Sequence, residues 1–134
     1  MGFGESTSER VEQTAKTIVD AALQVHRTLG PGLLESVYSI CLAHELRLRG
    51  SRVDREVELP IVYGGVTIEA GLRLDLIVDD CVIVEVKAVD RMIPVFEAQI
   101  LTYLRLTGHT LGLLINFNVP LIKDGIKRVV LSRT

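Results

Sequence analysis

Aromatic residues are scarce in this 134-residue chain: they make up 4% of it, and tryptophan is missing. Hydrophobic residues nevertheless reach 48%, so the core has to be built from aliphatic side chains. The shortage of rings also leaves few platforms on which nucleic-acid bases could stack. No run approaches the roughly 18 consecutive apolar residues of a membrane span, and no membrane role is expected. Only two cysteines occur, Cys41 and Cys81, both among apolar neighbours. They read as small buried hydrophobes in a reducing compartment, not as a disulfide. The opening MGFGESTSER lacks the basic and apolar regions of a signal peptide, so the expected location is the cytoplasm. It does carry the short myristoylation pattern, at Gly2 and Ser6.

An excess of one charge is absent too. Fifteen Lys and Arg against 17 Asp and Glu give a net charge of −2. With a pI near 5.9 there is no general basic signature of a nucleic-acid binder, although the totals leave room for a local basic groove. His26, His44 and His109 lie too far apart for zinc spacing, and no Ser-His-Asp or Cys-His arrangement is suggested. Gly64-Gly65 lacks the lysine and following helix of a phosphate loop. A mean hydropathy of +0.34 is high for a small monomer and favours a self-associating surface, with a symmetric homodimer as the natural form.

No repeat, low-complexity tract or linker interrupts the chain, which reads as a single domain over 1–134. Residues 8–29 predict an amphipathic helix, with Val11, Ala15, Ile18, Ala22, Val25 and Leu29 at alternating spacings of four and three. Ser6 with Glu9 offers a capping box, and Gly30-Pro31 a stop. A second helix is expected over 33–49. EVELPIVY and residues 67–78 flank Gly64-Gly65 as a hairpin, and residues 82–88 make the next strand. A third helix is expected over 94–108, then LGLLINF as a buried strand and IKRVVLS as an edge strand. The order ααβββαββ implies an α/β (α+β) fold, a mixed sheet flanked by helices.

The stretch LRLDLIVDDCVIVEVKAV, residues 72–89, is apolar almost throughout yet holds Asp75, Glu85 and Lys87. Alternation puts Glu85, Lys87 and Ile83 on one face of their strand, and Val82, Val84 and Val86 on the other. A two-residue turn at Asp79-Asp80 would oppose Asp75 to Val84 and mix polar with apolar faces. A three-residue loop over Asp79, Asp80 and Cys81 opposes Val78 to Val82, Leu76 to Val84 and Leu74 to Val86, and sets Asp75 against Glu85. A one-residue slip flips every side chain, so the aliphatic face selects the second register, with Asp80 suited to the left-handed position. Two adjacent carboxylates call for a cation between them: Lys87 could supply one charge, and a divalent metal is the better match. Oxygen-only ligands point to magnesium or manganese.

Asp75 followed by Glu85-Val86-Lys87 resembles the core of the PD-(D/E)XK nuclease superfamily, an acidic residue on one strand and Glu-x-Lys on the next. Gln99 and Tyr103, on one face of the following helix, look like the Gln-x-x-x-Tyr element of RecB-type members. Gly32, Glu35 and Tyr38 reproduce the signature of the GxxExxY family. GPGLLESVY, QILTYLRLTG and GLLINFN fit the same family, so the resemblance spans nearly all of the chain beyond its first ten residues. Leu74 stands where the superfamily carries a proline. The resemblance implies a restriction-endonuclease-like fold and a metal-dependent phosphodiesterase. Asp75, Glu85 and the Val86 carbonyl would bind the ion, and Glu35 would complete the acidic cluster. Lys87 would orient or help deprotonate the attacking water, and Gln99 and Tyr103 would hydrogen-bond the cluster or substrate.

Structural alternatives stand beside each of these roles. Asp75, Glu85 and Lys87 could form a cross-strand ion pair at the sheet edge, helped by Arg73. Glu35 in the first turn of a helix is stabilised there by free amides and the helix dipole. Tyr38 and Tyr103 could be half-buried aromatics, Gln99 a surface residue, and Asn116 and Asn118 turn formers, although Asn116 could also face the site. Two readings follow. One is a magnesium-dependent nuclease acting on DNA or RNA. The other is a non-catalytic nuclease-fold module for partner binding or self-association.

Overall fold

The computed structural model describes residues 7–69 and 71–132. The myristoylation pattern at Gly2 and Ser6 and the Ser6 cap lie outside them. Helix α1, Glu9–Leu29, is capped instead by Ser8, whose Oγ accepts a hydrogen bond from the Val11 amide at 3.2 Å. Its predicted apolar stripe is buried except for half-buried Leu29, and Gly30 ends it with a positive φ of 70°. Helix α2 spans Glu35–Leu48 and packs against α1, starting two residues later than the pattern suggested.

The five-stranded sheet contains β1 (Val53–Glu58), β4 (Arg73–Val78), β5 (Val82–Lys87), β6 (Leu111–Asn116) and β7 (Ile126–Val130), in that order across it. Among the described strands only β5 and β6 pair in parallel, joined by helix α3 (Pro94–Thr107). The fold is therefore a mixed sheet flanked by helices, as expected, with β7 at the predicted edge. The two strands expected around Gly64-Gly65 each split in two. Pro60 has no amide hydrogen to continue the ladder, and β2 (Ile61–Tyr63) and β3 (Val66–Ile68) form a separate two-stranded sheet.

Aliphatic residues fill both sides of the main sheet. Leu76, Val78, Val82, Val84, Val86, Leu113 and Ile115 pack under α1 and α2, while Ile77, Ile83 and Leu114 pack under α3. Covering both faces explains why β5 and β6 read as continuous apolar runs. Gly112 marks how closely α3 approaches β6: a Cβ there would lie 2.6 Å from Ile100 Cγ2. Both cysteines are unbridged. No helix among the described residues is long and apolar enough to cross a membrane.

The β4–β5 hairpin has the register that the aliphatic face selects, with Val78 opposite Val82 and Leu76 opposite Val84. Its loop has three residues, and Asp79 as well as Asp80 is left-handed, at φ 51° and 52°. In that position Asp79 stitches β1 to the loop: its Oδ1 accepts from the Arg52 amide at 2.9 Å. The expected pairing of Leu74 with Val86 does not follow. Among the described residues the regular ladder stops at Leu76 and Val84. Leu74 packs on the α3 side, whereas Val86 stays on the side of α1 and α2. What separates the strands there is the pair of acidic side chains.

Candidate functional site

Where the β4–β5 ladder stops, carboxylates take over from carbonyls. The Asp75 amide donates to Glu85 Oε2, and the Val86 amide donates to Asp75 Oδ2, both at 2.7 Å. Each acidic side chain thus reaches across to the opposite strand's backbone, and the predicted juxtaposition of Asp75 with Glu85 is realised through this exchange. The two bonds fix both carboxylates. They also leave Asp75 Oδ1 and Glu85 Oε1 accepting no hydrogen bond among the described residues.

Glu85 is only 4% exposed, and Asp75 is half-buried. Burial pushes the Glu85 carboxyl up to about 8, and the nearby Asp75 charge pushes in the same direction. Burial also raises Asp75, against the Val86 hydrogen bond, which lowers it, and with Glu35 and Glu56 adding repulsion. Tyr103 is driven up to about 12 by burial and then by these two carboxylates, which keeps its phenol protonated. Glu35, Glu56, Asp75, Glu85 and Tyr103 therefore share one electrostatic neighbourhood.

Lys87 softens this field without neutralising it. Its charge lowers both carboxyls, yet it forms no ion pair within 4.0 Å among the described residues. The ammonium sits 4.4 Å from the centroid of the Phe96 ring. The cross-strand ion pair considered from the sequence is thus not the arrangement found, and no ion pair involves Arg73 among the described residues. Lys87, Phe96 and Gln99 line a cleft of about 450 Å³ along α3, with Val95, Ala98 and Thr102. Gln99 opens onto this cleft and Tyr103 lies deeper, one helical turn along the same face.

Glu35 occupies the first turn of α2, and its side chain is exposed. The Gly-x-x-Glu-x-x-Tyr residues explain how it gets there. Gly32 turns the chain with φ 100°, and Tyr38 is fully buried against Phe117, ring stacked on ring at 4.6 Å. The Tyr38 hydroxyl donates to the Gly30 carbonyl at 2.5 Å and accepts from the Leu33 amide at 3.1 Å. Tyr38 therefore holds the loop that presents Glu35. Glu35 reaches the carboxylate pair through its charge. No three His, Cys, Asp or Glu among the described residues converge closely enough to hold a metal ion.

Three contributors carried little or no signal in the sequence. Asn116, read from the sequence as a turn former that could also face the site, is buried and closes a reciprocal pair with Val89, as donor at 3.0 Å and acceptor at 3.1 Å. That clamp and the Phe117 amide bonded to the Lys87 carbonyl at 2.9 Å fix the backbone leaving Lys87. Glu56 adopts a left-handed φ of 53° next to Asp75, where an ordinary strand residue was expected. Phe96 carried no mark of its role beneath Lys87.

A model of the PD-(D/E)XK nuclease superfamily matches residues 12–129. The chain belongs to that superfamily. No curated protein and no solved structure matches it significantly. Within a PD-(D/E)XK chain, the buried pair suits a hard divalent cation. Among the described residues two oxygens are uncommitted, both carboxyls resist ionisation, and the one nearby ammonium is held elsewhere. A magnesium or manganese ion would supply the missing charge, and its preference for oxygen matches the donors present.

Proposed function

We propose that this protein is a magnesium- or manganese-dependent nuclease that hydrolyses phosphodiester bonds of DNA or RNA, from the GxxExxY branch of the superfamily and acting in the cytoplasm. The observation that carries this reading is the buried, uncompensated Asp75–Glu85 pair with Lys87 on the same strand as Glu85. Asp75, Glu85 and the Val86 carbonyl would hold the ion, with the backbone-bound oxygens keeping both side chains oriented. Glu35 adds negative charge at the rim and becomes a further ligand only if α2 brings it inward. When bound, the ion lowers the pKa of a water and polarises a phosphoryl oxygen. Lys87 would orient the attacking water and offset charge developing on the phosphate. Tyr103, buried beside the cluster, would hydrogen-bond it, and Gln99 would offer its amide to the substrate in the α3 cleft. The test is cleavage of labelled single- and double-stranded DNA and RNA with either ion. Cleavage that Lys87→Ala abolishes supports the assignment; no cleavage by folded, metal-loaded protein overturns it.

A second reading is favoured by one specific observation, the exposed apolar hairpin β2–β3. Ile61, Tyr63, Val66 and Ile68 share a face, and Val62 adds to the other, with Val62 and Tyr63 at 69% and 76% exposure. An isolated two-stranded hairpin is marginal in water, and exposed apolar surface of this kind marks interfaces. On this reading the chain self-associates through the hairpin, as a homodimer, whether or not it cleaves nucleic acid. Light scattering should then give a dimer that Tyr63→Lys converts to monomer; a wild-type monomer at high concentration removes the reading.

A further inference from the structure

Among the described residues, Lys87 is the only lysine whose charge acts on both carboxyls, yet its ammonium rests on an aromatic ring. An ammonium beside two carboxylates would ordinarily turn toward them, since opposite charges at contact in a partly buried site attract strongly. A competing attraction has to hold it back. Phe96 provides one. The ring is half-buried, fixed against the α3-side core, and lies in the first turn of α3 shortly after Pro94. The negative face of the ring attracts the cation, and the rigid helix sets where that attraction is felt.

Two consequences follow from this position. With Lys87 on Phe96, the carboxylate pair has no counter-ion among the described side chains and stays open to a metal ion. The ammonium at the same time faces the cleft shared by Lys87, Phe96 and Gln99, from which a phosphate could approach. If Lys87 turned inward, it would compete with the metal for Glu85 and vacate the cleft. We propose that Phe96 is a positioning residue: its ring holds the Lys87 ammonium at the α3 cleft and off the Asp75–Glu85 pair. This assignment rests on the metal-dependent reading for its purpose, but the contact itself can be tested without it.

The experiment uses the 134-residue chain as wild type, Lys87→Met, Phe96→Leu, Phe96→Trp and the double variant Phe96→Leu with Lys87→Met. Carbon–proton NMR reads the Lys87 Cε–Hε resonance, assigned by its loss in Lys87→Met. The ring current should shift this resonance upfield in wild type and Phe96→Trp, but not in Phe96→Leu. Manganese binding, read by electron paramagnetic resonance, should weaken roughly fivefold in Phe96→Leu, the scale of one cation–π contact. It should remain near wild type in Phe96→Trp and recover in the double variant, where no ammonium competes. An unshifted Lys87 resonance in wild type overturns the proposal. So does equal weakening in Phe96→Leu and Phe96→Trp, or a double variant that does not recover. If wild type binds no manganese, the metal-dependent reading fails, while the NMR result still decides whether Phe96 holds Lys87.

Discussion

Replacing Glu85 with glutamine should stabilise the metal-free protein, and only at neutral and alkaline pH. The folded state holds this carboxyl up at about 8, against its ordinary 4.5. The linkage sign follows from that direction. An acid whose folded pKa is raised contributes its full stability below its unfolded pKa. That stability is lost as pH rises through the folded pKa, because the unfolded chain releases the proton more readily. The window therefore runs from about 4.5 to 8. Its full span corresponds to a ceiling on the order of 5 kcal/mol, before relaxation around the new charge reduces it. The glutamine amide cannot ionise, and its oxygen can still accept from the Asp75 backbone. Urea unfolding with a chelator present should show Glu85→Gln equal to wild type within about 0.5 kcal/mol at pH 4, below the window. It should be more stable by at least about 1 kcal/mol at pH 8.5. Manganese should stabilise wild type and not the variant. Equal stability at both pH values would refute the idea that an uncompensated buried charge lies at the heart of this fold.

Other substitutions probe the supports around the pair. Asn116→Ala leaves the Val89 amide and carbonyl without their buried partner, and chemical denaturation should show a loss of about 1–3 kcal/mol. Gly125→Ala would place a Cβ 2.2 Å from the Asn116 carbonyl oxygen. Because the obstacle is backbone, a melting curve should register a loss of more than about 2 kcal/mol. Tyr38→Phe keeps the stacking on Phe117 but removes the bonds to Gly30 and Leu33. It should cost about 1–2 kcal/mol and raise hydrogen exchange at Leu33, in the loop that presents Glu35.

Much of this arrangement was legible in the residues themselves. The aliphatic alternation of β4 and β5 admits one register, and that register brings Asp75 to Glu85. Helix α1 was legible in its spacing, and α3 in Pro94 at its start. The features that escaped are those that sequence periodicity does not encode. Alternation predicts that Leu74 stays with Leu76, but side chains replacing ladder bonds part the strands, and Leu74 packs under α3. EVELPIVY read as one strand, but Pro60 has no amide hydrogen to continue the ladder. The left-handed Glu56 has no side-chain signature. Phe96 and Asn116 act on the backbone or ammonium of β5 from elements that the chain reaches only later. Glu35 was readable as a motif residue, but how far its side chain lies from the pair depends on how α2 packs.

The central claim is that the Asp75–Glu85 pair is a divalent-cation site, and a manganese titration followed by isothermal calorimetry tests it most directly. Wild type should bind one ion per chain, with protons released as Glu85 gives up its own. Asp75→Asn and Glu85→Gln should each abolish binding, while Lys87→Ala should retain it. A wild-type protein that binds no manganese, or a Glu85→Gln variant that binds it as well as wild type, would contradict the account.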